Sequence, residues 1–138
     1  MAAEAVEKMN SGTDAVAQTL RQMLTLDLLG EEELRDLARI SRIDTFEPED
    51  TIIAEGSYGG WVYFLLSGKI RILKRGREMA TLQRIGDLFG EMGVLDYSLR
   101  SASVQAVTTV SCLRINLADI DRLPTNNRYA FRYTLYRS

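Results

Sequence analysis

Apolar positions follow two different periods along this chain. Near the N-terminus they recur at helical spacing. Val16, Leu20, Met23 and Leu24 share one face of a helix predicted to start near Asp14, with Ser11 or Thr13 as its cap. Such a stripe requires burial but does not say against what. Packing on its own domain and pairing with a partner helix both stay open. The stretch before it, Met1 to Asn10, is rich in Ala and Glu and reads as helical or frayed. After Gly30 a second helix is predicted over Glu31 to Ile40, with Leu34, Leu37 and Ile40 on its apolar face. Glu31, Glu32 and Glu33 open it, where the helix dipole favours negative charge. That run is a helix-start feature, not a metal site.

From Arg42 the period shortens to two. Ile43 and Thr45, then Ile52 and Ile53, read as strands around the turn Glu47-Pro48-Glu49-Asp50. Glu55 to Gly60 forms a glycine-rich turn, and Trp61 to Leu66 reads as a buried strand. Ser67-Gly68 leads into Lys69 to Lys74, where Ile70 and Ile72 alternate with basic residues. Arg77 to Ile85 reads as a strand with Met79 and Leu82 inward, and Ser101 to Val107 and Val110 to Ile115 as the last strands. Ala118 to Leu123 is one or two helical turns, broken by Pro124. Thr125 caps a final helix from Asn126 to Arg137, with Tyr129, Tyr133 and Tyr136 on one face. Many short strands closed by glycine turns, with helices outside, predict a mainly β protein with flanking helices (α+β). The expected architecture is an eight-stranded jelly-roll β-barrel of the cupin-like, double-stranded β-helix kind.

Composition narrows the chemistry. At 138 residues the length suits one domain. Histidine is absent, which removes Ser-His-Asp and Cys-His catalysis and zinc sites built on His. The single cysteine, Cys112, excludes an intrachain disulfide and thiolate clusters, and its apolar strand makes it a small buried hydrophobe. A net charge of −2 offers no overall basic field for nucleic acid. The longest apolar run, Trp61 to Leu66, is too short to span a membrane, and an acidic residue as early as Glu4 does not suit a secretory signal. The expectation is a soluble cytoplasmic protein that is not an enzyme and carries no metal.

One stretch, Gly86 to Val104, organises the rest. Gly86-Asp87 closes the strand before it, Leu88-Phe89 is a short apolar stub, and Gly90 admits backbone angles that other residues resist. Glu91 to Leu95 can form one helical turn, whose free N–H groups suit an anion. Arg100 adds a guanidinium able to grip a phosphate with two parallel hydrogen bonds. Glu91 would repel a phosphate, so its carboxylate needs a donor such as a ribose hydroxyl. A ligand with one phosphate and a hydroxylated sugar satisfies both residues. The glycine-rich turn at Glu55 to Gly60 lacks a following Gly-Lys-Ser/Thr, so its glycines read as barrel corners and not as a triphosphate loop.

These residues resemble the phosphate-binding cassette of cyclic nucleotide-binding domains, as in catabolite activator proteins and protein kinase A regulatory subunits. Phe89, Gly90, Glu91, Met92, Gly93, Arg100, Ser101, Ala102, Ser103 and Val104 fit the family pattern, while Leu99 stands where many members have proline. Phe46, Pro48 and Ile52 fit the preceding Phe-x-Pro-Gly-Glu-x-Ile pattern, with Glu49-Asp50 in place of Gly-Glu. Gly56, Gly59, Tyr63, Ser67 and Gly68 fit the next pattern, with Ser57 and Gly60 where acidic residues are usual. The resemblance spans roughly Leu29 to Leu123 and implies the same jelly roll.

It also implies a ligand and roles. The ligand is cAMP, less readily cGMP. The binding residues are Phe89, Gly90, Glu91, Met92, Gly93, Arg100, Ser101 and Ala102. Glu91 takes the ribose hydroxyl, Arg100 takes the phosphate, and Phe89 anchors the cassette to the core. Met79, Leu82 and Val104 wall the base. A residue of the terminal helix often caps it in this family; a tyrosine could stack on the base, but Tyr129, Tyr133 and Tyr136 read first as packing that helix onto the barrel. The implied organisation is a helical extension over residues 1–28 and a binding domain over residues 29–138. Ligand would draw the cassette and C-terminal helix inward and signal to an effector protein or output domain on another chain. A homodimer through a terminal helix is a further partner reading, with no membrane and no DNA read by this chain alone. The alternative is a ligand-free interaction module on the same fold.

Overall fold

The computed structural model describes residues 17, 20, 30–90, 99–124 and 128. They fall into two compact units, one of residues up to Ser41 and from Asp119 on, the other Arg42–Ala118. In the first, Ala17 and Leu20 are helical and buried. Val16, Met23 and Leu24 lie outside the described residues, as does the terminal helix with its tyrosines apart from the helical Arg128, whose N–H donates to the Pro124 carbonyl at 2.9 Å. Helix α1, Glu31–Ile40, starts at Gly30, whose carbonyl accepts the Leu34 N–H at 3.0 Å, and buries Leu34, Leu37 and Ala38. Its Asp36 is also buried, paired with Arg39 at 2.8 Å.

The second unit holds the sheets. Its strands are β1 (Ser41–Phe46), β2 (Thr51–Ile53), β3 (Trp61–Ser67), β4 (Ile70–Lys74), β5 (Arg77–Leu82), β6 (Leu88–Phe89), β7 (Ser103–Ala106) and β8 (Val110–Asn116), followed by the short helix α2 (Leu117–Ile120). Ser41 at the start of β1 and the last two residues of α2 fall in the first unit. They form two four-stranded sheets, ordered β1-β8-β3-β6 and β2-β7-β4-β5, and every pair with a resolved register is antiparallel. This is the expected jelly roll.

Alternation along β3 explains its unbroken apolar run. Trp61, Tyr63 and Leu65 face one way; opposite them on β8 stand Asn116, Arg114 and Cys112. Tyr63 and Leu65 join Phe89, Val110 and Cys112 from their own sheet, and Ile53, Ile70, Val104 and Ala106 from the other, in one core. Val62, Phe64, Leu113 and Ile115 face the opposite way and are buried too, so β3 is covered on both sides. Cys112 is fully buried, as expected, and burial pushes its thiol up to about 12.

β5 corrects the inward placement of Met79, which is 63% exposed. Its strand lies at the sheet edge, and the register jumps from Ile72↔Ala80 to Leu73↔Glu78. Met79 is the extra residue of that bulge, so the alternation loses phase there and its side chain turns out. The strand also ends at Leu82, short of Ile85. Leu82 is half-buried against the core and Val104 belongs to it. Glu49, standing where the family pattern has glycine, adopts a left-handed φ of 75°. The turn is held around it: its N–H donates to the Ala106 carbonyl at 2.8 Å and its carbonyl accepts from Gln105 Nε2 at 3.0 Å.

Candidate functional site

Arg100 is the centre of the site. It is a cation only 6% exposed, and an unpartnered buried charge would be very costly. Its Nη1 donates to the Gly90 carbonyl and its Nη2 to the Trp61 carbonyl, the latter at 2.7 Å. Its backbone is fixed as well. The Arg100 N–H donates to the Ser57 carbonyl and the Gly56 N–H to the Arg100 carbonyl, both at 2.8 Å. The loop before β7 is thereby laced to the glycine-rich turn before β3.

Two glycines make room for the guanidinium. A Cβ on Gly59 would lie 3.2 Å from Arg100 Nη2. Gly90 has φ +83°, and a Cβ there would meet Ile53 Cδ1 at 2.8 Å and Arg100 Nη1 and Tyr63 Cδ2 at 3.3 Å. Just before Gly90, the Phe89 ring stacks on Tyr63 with centroids 5.1 Å apart and planes 8° from parallel. Phe89 is 3% exposed, which fits an anchor.

Trp61 also meets a second cation, at its ring. The Arg114 guanidinium carbon sits 4.2 Å from the centre of the Trp61 ring, and its Nε is 2.7 Å from Asp44 Oδ2. The Nε proton makes no aligned hydrogen bond, so this contact is an ion pair more than a directed bond. Burial raises the Tyr63 phenol above its usual range, while the fields of Arg114 and then Arg100 oppose the rise.

Among the sequence-predicted site residues, the fold brings Phe89, Gly90 and Arg100 together. Ala102 is half-buried and Ser101 exposed on the chain leading into β7. Glu91, Met92 and Gly93 lie outside the described residues. Four participants escaped the sequence reading: Gly59, the Trp61 carbonyl, Arg114 and Asp44. Gly59 is more than a barrel corner, because its missing side chain is where the guanidinium sits. Arg114 did leave a signal, falling in step with Val110 and Cys112 on the face expected to point inward.

No metal-holding cluster of His, Cys, Asp and Glu occurs among the described residues. None of their helices is long and apolar enough to cross a membrane.

The sequence profile of the cyclic nucleotide-binding domain matches residues 43–127. A cGMP-dependent protein kinase of Toxoplasma gondii is 30% identical over 121 residues, covering 88% of this chain and 12% of the kinase. A cAMP-dependent protein kinase regulatory subunit of Debaryomyces hansenii is 31% identical over 104 residues, covering 75% of this chain and 23% of the subunit. In structure the chain resembles the regulatory subunit of a cAMP-independent protein kinase A from Trypanosoma brucei. That match has a TM-score of 0.74 and 29% identity, and covers 78% of this chain and 40% of the other. The chain thus spans under half the length of each of these relatives. Its jelly roll and a profile match over more than half its length place it in one family: the chain belongs to the cyclic nucleotide-binding domains.

Proposed function

We propose that this domain is a cyclic nucleotide sensor that binds cAMP in preference to cGMP. The observation that carries the reading is Arg100, a buried guanidinium delivered to the start of the cassette and held on carbonyl oxygens. These two carbonyls, among its described contacts, are neutral acceptors. A phosphate offers charged ones, and charge-assisted bonds are roughly twice as strong as neutral ones. With five donors, a guanidinium can hold a phosphate bidentately and still keep a carbonyl. Glu91 takes the ribose hydroxyl, and the cassette from Phe89 to Gly93 with Arg100, Ser101 and Ala102 forms the site. The preference for cAMP draws support from the likeness to a cAMP-dependent regulatory subunit, and the likeness to a cGMP-dependent kinase keeps cGMP in the test.

The domain carries no catalysis of its own in this reading. Ligand favours the state in which the cassette and terminal helix are drawn inward. That shift reaches an effector on another chain, or passes through the extension over residues 1–28 ahead of the binding domain over 29–138. The setting is cytoplasmic.

A ligand-free interaction module is the second reading: the likeness to the regulatory subunit of a cAMP-independent protein kinase A weighs against cAMP itself, while a similar subunit from Trypanosoma cruzi is bound to guanosine. Calorimetry of the folded, nucleotide-free protein against cAMP and cGMP separates the two. Micromolar binding is expected, and Arg100→Ala should weaken it by about 2–5 kcal/mol, roughly thirty- to several-thousand-fold. Wild-type affinity in Arg100→Ala would remove Arg100 from the site. Absence of heat with both nucleotides would favour the module.

A further inference from the structure

Trp61 serves Arg100 through its backbone, while its side chain is engaged elsewhere. Its carbonyl accepts Arg100 Nη2 at 2.7 Å. Its indole lies against the Arg114 guanidinium at 4.2 Å, and Arg114 lies 2.7 Å from Asp44. These residues come from three adjacent strands: Asp44 from β1, Arg114 from β8 and Trp61 from β3. Trp61 is the first residue of β3 and follows Gly59 and Gly60. On the β8 side this strand end is held by the Leu117 N–H, which donates to the Gly60 carbonyl at 2.8 Å, and by the pairing of Trp61 with Asn116. The stacked indole adds a side-chain anchor where two glycines leave the backbone otherwise pliant. Arg114 and Asp44 are each about two-thirds buried at the side chain, so their attraction is less screened than at the open surface.

We propose that Arg114 and Asp44 are positioning residues for Arg100. They clamp the Trp61 ring, the ring fixes the Trp61 carbonyl, and the carbonyl sets the guanidinium that takes the ligand phosphate. The last step rests on the sensor reading; the first two do not. Holding a guanidinium in its binding pose before ligand arrives lowers the ordering cost of association. The clamp therefore strengthens recognition of the phosphate in particular. Removing Arg114 also leaves Asp44 a partly buried carboxylate without this partner, which adds to the disturbance at the strand end.

The test is a cycle in the full chain, using Arg114→Leu, Arg114→Lys, Arg100→Ala and the double variant Arg114→Leu/Arg100→Ala. Each is titrated with cAMP and with adenosine, which lacks the phosphate. Arg114→Leu should weaken cAMP about tenfold, a coupling typical of residues in one network, and leave adenosine unchanged. Arg114→Lys should keep most of the affinity, since an ammonium can still face Asp44 and the indole. In the Arg100→Ala background Arg114→Leu should cost nothing more. Equal losses for both ligands, additive losses in the double variant, tighter cAMP binding, or Lys as poor as Leu would each overturn the proposal.

A readout without ligand separates this inference from the sensor reading. Hydrogen exchange of the Arg100 guanidinium, followed by 15N NMR, should speed up about tenfold in Arg114→Leu. Unchanged exchange would overturn the clamp. Faster exchange in a protein that binds neither cAMP nor cGMP would keep the clamp and end the sensor reading. Asp44→Asn keeps the side-chain shape and removes the charge. It should shift exchange in the same direction, and it serves if thermal melts show that Arg114→Leu is unfolded.

Discussion

Gly90→Ala offers a stability test whose magnitude follows from two separable costs. The first is backbone strain. Gly90 sits at φ +83°, and a left-handed conformation costs an alanine roughly 1–2 kcal/mol. The second is packing. The new Cβ would stand 2.8 Å from Ile53 Cδ1, well inside the optimum of about 3.5–4.0 Å between carbons. Ile53 belongs to the core between the sheets, so it cannot retreat freely, and overpacking of this kind costs about 1–3 kcal/mol. The sum is about 2–5 kcal/mol. Gly76 supplies the control: its φ of +77° carries the same strain, and a Cβ there meets nothing within 4 Å. Gly76→Ala should therefore lose only about 1–2 kcal/mol. Urea unfolding measures both, and with a slope near ~2 kcal/mol/M the midpoints should drop by roughly 1–2.5 M and under about 1 M respectively. Ile53→Val removes the clashing methyl. It should cost about 0.5–1.5 kcal/mol alone and regain part of the loss beside Gly90→Ala. Equal losses at Gly90 and Gly76, with no rescue by Ile53→Val, would refute the packing term.

Gly59→Ala introduces no left-handed strain, yet its Cβ would crowd Arg100 Nη2 at 3.2 Å. It should change stability by under about 1 kcal/mol while weakening cyclic nucleotide binding several-fold by calorimetry. Unaltered affinity would show that the guanidinium does not take ligand from this position. The Cys112 thiol, pushed up to about 12 by burial, keeps its proton longer folded than unfolded. The unfolded chain loses that proton first, so stability should fall as pH rises from about 9 toward 12, by at most ~1.4 kcal/mol per pH unit. Cys112→Ala should flatten the decline between about pH 9 and 10, above which Tyr63, also raised, begins to contribute; urea melts across this range decide it. The Arg71–Glu49 pair, 3.1 Å apart with Glu49 exposed, should matter little. Glu49→Gln should shift stability by less than about 1 kcal/mol, and less still at high salt.

Where the sequence reading worked, a local rule was at stake. The glutamates after Gly30 start α1, and the unbroken run from Trp61 marks a strand covered on both faces. Gly90 takes the unusual backbone angle proposed for it. Met79 failed because alternation assumes unbroken pairing. The bulge in β5 shifts the phase by one residue, and nothing in Arg77 to Leu82 announces it.

What the sequence determined by itself, among the described residues, was the set of elements and the places of the glycines and of Arg100. Those depend on spacing along the chain, and spacing is written in the order of residues. Tertiary structure alone decided which groups receive Arg100. Its acceptors on Gly90 and Trp61 are backbone carbonyls, which every residue carries and no side chain advertises. Asp44, Trp61 and Arg114 likewise meet only because the jelly roll sets β1, β8 and β3 side by side. The order of strands in a sheet is a property of the folded chain as a whole.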